Sequence, residues 1–179
     1  LDAAATCLAI VTVVVGLIFA GISGSGPADT AALGTILISA MAARGYAKPF
    51  TAALIASSGS LAIIVPPSIA LILYGVITGT SISALFAAGA IPGLLVGLFL
   101  IIPCFVISWK NGWRGERWGT PAEIWKAFTE AVWGLAAPFI ILGGMYGGVF
   151  TPTEAAVFAV FYGLFVGTAI HRELRLRDL

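Results

Sequence analysis

Apolar residues run through this chain in long blocks, separated by short clusters of glycine, proline and charge. From Pro49 to Trp109 no charged side chain occurs. Uncharged apolar runs beyond about 18 residues predict membrane-spanning helices, because hydrocarbon offers backbone groups no hydrogen-bond partner and a helix satisfies them internally. A first apolar segment covers residues 3–22. The run Ser23-Gly24-Ser25-Gly26-Pro27 interrupts it, and a helix of small residues is predicted from about Ala28 to Ala43. The next block, Phe50 to Gly79, carries Pro66-Pro67 at its middle. The first proline lacks an amide and its ring clashes with the preceding turn; the second drives its neighbour out of helical space. Two half-helices with a non-helical junction are therefore expected. Residues 82–108 predict a long tilted span. A polar loop, an amphipathic stretch at 121–133, an apolar span at 134–150 and a last span at 153–170 complete the pattern.

Composition sharpens the class. Hydrophobic residues make up 60% of the chain and charged residues 9%, with a mean hydropathy of +1.07. Soluble domains carry roughly 25% charge, so the expected fold class is an all-α polytopic membrane protein, with membrane lipid as its solvent. The net charge of +1 changes little, but the placement of charge does. All nine basic residues fall in three clusters: Arg44 and Lys48; Lys110, Arg114, Arg117 and Lys126; Arg172, Arg175 and Arg177. The positive-inside rule places all three on the cytoplasmic side. Segments 50–79, 82–108, 134–150 and 153–170 then cross alternately, and 3–22 with 28–43 must start and end inside, as two spans or as a re-entrant hairpin. The five tryptophans, 109, 113, 118, 125 and 133, sit around one connection, where an aromatic belt would lie. Residues 122–133 put Ile124, Trp125, Phe128 and Val132 on one helical face, which suits a helix in the membrane interface or one packed on another subunit. Cys7 and Cys104 lie far apart in apolar runs and read as small buried hydrophobes. The chain opens at Leu1-Asp2-Ala3 without a signal-peptide pattern and reads as an internal portion of a longer polypeptide.

Chemistry concentrates at the two helix breaks. Non-helical backbone at membrane depth is tolerated only where protein buries it or where it lines a polar cavity. Secondary transporters build their sites this way, presenting unwound carbonyls to cations and half-helix N-termini to anions. Ser23 and Ser25 add hydroxyl oxygens, which hard cations accept. The alternative is a tight surface turn with packing glycines, and spacing alone leaves both open. Two acids stand away from the basic clusters. Glu154 completes the capping box Thr151-Pro152-Thr153-Glu154, a device that Thr120-Pro121-Ala122-Glu123 repeats. Asp29 falls in the first turn after Pro27, where it either favours the helix N-terminus or plays a polar functional role. Gly93-x-x-x-Gly97, Gly143-x-x-x-Gly147, Gly144-x-x-x-Gly148 and Gly163-x-x-x-Gly167 are helix-packing motifs. His171 is the single histidine, no phosphate-binding loop occurs, and no nucleophile–base pair suggests an enzyme. No nucleic-acid partner is expected.

Three motifs then resemble one family. Gly24-Ser25-Gly26-Pro27-Ala28-Asp29-Thr30-Ala31-Ala32-Leu33-Gly34 resembles the first hairpin of the large membrane subunit of tripartite ATP-independent periplasmic (TRAP) transporters. Ile64-Val65-Pro66-Pro67-Ser68-Ile69 resembles that family's broken helix, and Gly148-Val149-Phe150-Thr151-Pro152-Thr153-Glu154-Ala155-Ala156 the segment closing its first half. The resemblance implies an elevator-type, sodium-coupled importer of organic acids such as dicarboxylates, in the bacterial inner membrane. Its implied partners are a periplasmic substrate-binding protein and a small membrane subunit. It implies a transport region over 1–79, with hairpin 3–43 and broken helix 50–79. A span, loop and interfacial helix would occupy 80–133, and two further spans with a tail 134–179. One sodium ion would be held by Ser23, Ser25 and the carbonyls of Ala62, Val65 and Pro67, with Ser25 and Ser68 as candidate substrate contacts. Ala62 stands where the family pattern leads one to expect glycine. The family's inverted second half is not in this sequence, so the chain by itself is not expected to transport. The competing readings are another ion-coupled anion transporter of the same superfamily and a non-transporting membrane scaffold.

Overall fold

The computed structural model describes residues 8–113 and 120–170, and all regular structure among them is helical. Cys7, Arg114, Arg117, Trp118, His171, Arg172, Arg175 and Arg177, together with the start of the first apolar segment, lie outside the described residues. The chain divides into two compact units, the first ending at Trp118 and the second beginning at Gly119.

In the first unit, helix α1 (Leu8–Ser23) ends in the two-residue break Gly24-Ser25, and α2 (Gly26–Ala43) starts immediately after it. The interruption is thus shorter than the five-residue motif, because glycine and proline are both tolerated in a first helical turn, where amides have no intrahelical acceptor. Helix α3 (Lys48–Ser60) tightens into a 3-10 turn at Leu61–Ile63, and α4 (Ile69–Thr78) resumes beyond the double proline, whose Pro66-Pro67 bond is cis. Ser68 caps α4: its hydroxyl accepts the Leu71 amide at 3.5 Å and donates to the Ile63 carbonyl at 2.7 Å. Gly79 closes α4 in the left-handed region at φ 70°. Helix α5 (Ile82–Lys110) runs 29 residues straight through Pro92 and Pro103.

The core of this unit lies where α1, α2, α3 and the 3-10 turn meet. Ala9, Val13, Ala20, Met41, Leu61 and Ala62 are all at most 1% exposed there. Three of those six are alanine, so the helices approach closely through small side chains. One glycine stripe on α5 serves the same purpose. A Cβ on Gly89 would stand 2.7 Å from the Ile64 carbonyl oxygen, and one on Gly93 3.2 Å from the Val65 Cα. One turn further, Gly97 lies under Leu17 of α1. At the end of the unit with the basic residues, the Trp113 ring packs at a tilt against Tyr46 and Phe50, with ring centroids 4.6 and 5.2 Å apart. That tryptophan works as packing between loops, unlike Trp109, which is 77% exposed.

The second unit is simpler. Helix α6 (Pro121–Tyr146) is continuous, where the sequence predicts an interface helix followed by a separate span. Nothing at Trp133-Gly134 stops it: one interior glycine costs only about 1 kcal/mol against alanine. Helix α7 (Pro152–Phe165) passes into a π-helical turn at Val166–Ile170. Both helices begin with complete capping boxes. The Tyr162 hydroxyl donates to the Trp133 carbonyl at 2.7 Å, and Phe150 packs over Gly144. Gly143 and Gly163 meet nothing within 4 Å, so two of the predicted packing motifs have no counterpart inside this unit.

Among the described residues, three helices are long and apolar enough to cross a bilayer: α5, α6, and α7 with its π turn. Many of their large side chains point outward; Phe99 is 66% and Phe139 78% exposed, while Phe86 and Met145 turn inward. An apolar sheath of that kind is what a lipid-facing surface requires.

Candidate functional site

The two helix breaks lie against one another. The Ile69 amide, which in an unbroken helix would bond the Val65 carbonyl, donates instead to the Gly24 carbonyl at 3.1 Å. Gly24 sits at φ 62°, a conformation that costs residues with a Cβ about 1–2 kcal/mol. A Cβ there would also stand 2.5 Å from the Pro67 carbonyl oxygen and 3.2 Å from the Ser68 Cα. Glycine at 24 is therefore required twice, by its dihedral and by its neighbour. Next to it, Gly26 approaches the Gly59 carbonyl, with 3.2 Å to a hypothetical Cβ, so the start of α2 is docked along the end of α3.

The prolines decide which oxygens are left over. Neither has an amide, so the Ala62 and Ile63 carbonyls lose their normal partners four residues on. Ile63 recovers one from the Ser68 hydroxyl. The Val65 amide bonds Leu61 at 2.8 Å and so does not serve Ala62. Ala62 is fully buried, and Val65 is half-buried with its own helical donor turned to Gly24. Buried carbonyls without donors cost free energy unless something else satisfies them.

Ser23 and Ser25 flank Gly24. Ser25 is the N-cap residue of α2 with extended backbone, yet its hydroxyl makes no capping bond; its carbonyl accepts the Asp29 amide at 3.0 Å. The Ser23 hydroxyl accepts the Ser25 amide at 3.1 Å and donates its proton to Asp29 Oδ1. Asp29 is 1% exposed, and its other oxygen, Oδ2, has no partner among the described residues. The donor set offered here consists of neutral hydroxyl and carbonyl oxygens, with Ala62 buried, Ser25, Val65 and Pro67 half-buried and Ser23 exposed, a set that fits a small hard monovalent cation. Ser68, by contrast, is fully buried with its hydroxyl spent on the α4 cap, which leaves that side chain little to offer a substrate.

The family resemblance implies Ser23, Ser25, Ala62, Val65 and Pro67 as one site, and spacing alone leaves that open; the structure brings their two segments together through Gly24, Pro67 and Ile69, and sequence reading goes no further. It did not anticipate the Ser23–Asp29 pair, although the acid lies six residues on in a motif already singled out. It also missed Gly89, whose spacing of four from Gly93 was legible and whose backbone carries the junction. Glu154 behaves as its motif predicts: its carboxylate accepts the Thr151 amide and hydroxyl, both at 2.8 Å.

Comparison with known proteins covers both breaks. The family profile described as "Tripartite ATP-independent periplasmic transporter, DctM component" matches residues 4–179. The isethionate TRAP transporter permease protein DctMQ of Oleidesulfovibrio alaskensis is 48% identical over 93% of this chain, which covers 26% of that protein. The C4-dicarboxylate large permease DctM of Vibrio cholerae is 43% identical over 93% of the chain and 37% of its own length. The sialic acid large permease SiaM of the same species is 41% identical over 93% and 39%. The chain therefore spans well under half the length of these relatives. They are permeases of transporters, not enzymes. With three helices able to cross a bilayer and a match over nearly its whole length, the chain belongs to the DctM-component family of TRAP transporters, proteins of the inner membrane.

Proposed function

We propose that this chain is part of the large permease subunit of a sodium-coupled, elevator-type importer of organic acids. A periplasmic binding protein delivers the substrate and a small membrane subunit completes the scaffold. The relatives named above carry isethionate, C4-dicarboxylates and sialic acid, a sulfonate and carboxylates that share one chemistry, a small organic anion. Helices α1 and α2 form a re-entrant hairpin, and α3 with α4 a broken helix. Ten residues of α4 rise only about 15 Å, half a bilayer.

The observation that carries this reading is the Ile69 to Gly24 hydrogen bond. It ties the tip of the hairpin to the junction of the broken helix, so that hydroxyls of Ser23 and Ser25 and carbonyls of Ala62, Val65 and Pro67 can share one sodium ion. The ion supplies the positive charge that unpaired carbonyls and an incoming anion both attract. The protein's own residues hold the donors in place and exclude water around Ala62. Ser25, with its hydroxyl outside the capping scheme, is the residue placed to sense both ion and substrate.

The test is uptake by the full-length protein with its small subunit in proteoliposomes, with the binding protein present or withheld, and with sodium replaced by potassium. Uptake that needs both sodium and the binding protein supports the proposal. Uptake driven equally well by a proton gradient would assign a different coupling, and no uptake at all would leave a scaffold.

A further inference from the structure

Four consecutive carbonyls, Ala62 to Val65, lead into the double proline, and two of them are turned away from the hairpin break. The Ile63 oxygen accepts the Ser68 hydroxyl at 2.7 Å. The Ile64 oxygen is bonded by no amide or hydroxyl among the described residues; its ordinary helical donor, the Ser68 amide, does not reach it. It faces α5 instead, where a Cβ on Gly89 would stand 2.7 Å away. A Cβ replaces one of glycine's two Cα hydrogens, so a Cα–H of Gly89 is aimed at this oxygen, a weak donor where no better one exists. One turn on, Gly93 lies behind the Val65 backbone, 3.2 Å from its Cα by the same measure. On the other side, Gly24 of the hairpin lies against Pro67 and Ser68. The junction is clamped between glycines of two helices.

We infer that Gly89 is a positioning residue of the cation site: it removes the Ile64 carbonyl from the ligand set and fixes where the Ala62 and Val65 carbonyls are presented. Gly89 meets neither ion nor substrate and acts through the backbone of Ile64. Glycine is a poor choice for the interior of a 29-residue helix, where alanine is the best helix former, so its presence here needs a reason outside α5. The reason is distance. Carbon and carbonyl oxygen settle at about 3.3–3.6 Å in such contacts, so a methyl at position 89 would drive the Ile64 carbonyl forward by roughly half an ångström or more. That is about the tolerance within which a binding constellation must be held. With Gly24 packed in front, the junction has nowhere to retreat without separating its oxygens from those of Ser23 and Ser25.

This inference rests on the sodium-coupled reading, and the experiment separates the two. The complete transporter, purified with its small subunit, is titrated with sodium chloride at constant ionic strength made up with choline, and its thermal midpoint is followed alongside uptake. If wild-type uptake and midpoint ignore sodium, the functional proposal fails, and this inference with it. If the wild type responds, Gly89→Ala is expected to raise the half-saturating sodium concentration about tenfold, which corresponds to ~1.4 kcal/mol. Gly93→Ala, with a looser approach to backbone, should raise it about threefold. Gly97→Ala is the control: its Cβ would meet Leu17 Cδ1 at 2.7 Å, just as close, but that neighbour is the end of a flexible side chain. Gly97→Ala should lower the midpoint in sodium-free buffer and keep the half-saturating concentration within twofold of wild type. A value for Gly89→Ala within twofold of wild type overturns the inference. So does an equal rise in Gly97→Ala, which would make the effect one of general packing. Should Gly89→Ala fail to assemble, Gly93→Ala decides: a rise beyond twofold supports the inference, and a smaller one overturns it.

Discussion

At the start of α7, Glu154 accepts the Thr151 amide and Thr151 accepts the Glu154 amide, a closed reciprocal pair on an exposed helix end. In the first turn of α2 the acid, Asp29, is buried, bonds no amide, and reaches back across a glycine to the last residue of the preceding helix. Both helices begin with a hydroxyl residue at the N-cap and proline in the first turn. Two things differ, the register and the surroundings: Glu154 is the third residue after its N-cap, the spacing a capping box needs, and Asp29 is the fourth. Around Thr151 the chain is open, so the helix end must satisfy its own amides. Around Ser25 the end of α3 and the proline junction are packed close, and the N-terminal groups are turned toward a neighbouring segment instead. A first-turn acid therefore has two readings in a sequence, and burial separates them: an exposed one completes a cap, and a buried one has work elsewhere.

The largest expected effect lies at Gly24, and Gly79 provides its control. Both residues take positive φ, 62° and 70°, but only Gly24 faces another backbone. Gly79→Ala pays the left-handed dihedral alone, about 1–2 kcal/mol, and is expected to leave transport intact. Gly24→Ala pays the same and also drives a methyl into the Pro67 carbonyl, separating the two breaks. It should abolish sodium-dependent uptake and lower the thermal midpoint of the assembled transporter well beyond the Gly79 variant. Equal behaviour of the two would show that contact between the breaks is incidental.

Ser25→Ala comes next. The hydroxyl makes no cap bond, so its loss is expected to cost little folding free energy while raising the sodium concentration for half-maximal uptake several-fold. Ser39, whose hydroxyl bonds the Ile36 carbonyl on an exposed helix face, is the matched control, and Ser39→Ala should leave the sodium curve in place. Flat sodium curves for both Ser23→Ala and Ser25→Ala would reduce the breaks to packing features.

Much of this was legible because backbone chemistry announces itself. Pro66-Pro67 forbids a continuous helix whatever surrounds it, and Thr-Pro-x-Glu predicts a cap from purely local bonds, so those elements and boxes are found where the residues put them. The boundary at 133–134 was misplaced because a change of hydropathy is not a helix stop; no residue there removes an amide or demands an unusual dihedral. The Ser23–Asp29 pair was out of reach for a different reason. Its role follows from which side of α2 is buried, and the small-residue composition of that helix gives no amphipathic stripe to read. Nothing in this unit approaches Gly143 or Gly163, because a small-residue spacing permits close packing without choosing a neighbour.

The smallest effect expected is at Glu154, and it tests the comparison most directly because the same acid-to-amide change can be made at Asp29. Glutamine is as acceptable as glutamate at the third position of a capping box, since its side-chain carbonyl can accept the N-cap amide as the carboxylate does. Glu154→Gln should therefore leave the sodium dependence and the rate of uptake near wild type and move the thermal midpoint by no more than about 3 °C. Thr151→Ala, which removes the hydroxyl that accepts the Glu154 amide, should cost ~1 kcal/mol, the usual scale for losing an N-cap. It too should spare the sodium curve. Acid-to-amide substitution would then be nearly silent at the exposed helix start and severe at the buried one. Loss of uptake in Glu154→Gln, with normal assembly and an unshifted midpoint, would show that a complete capping box can also carry a charge the transport cycle uses, and exposure would no longer separate the two kinds of acid.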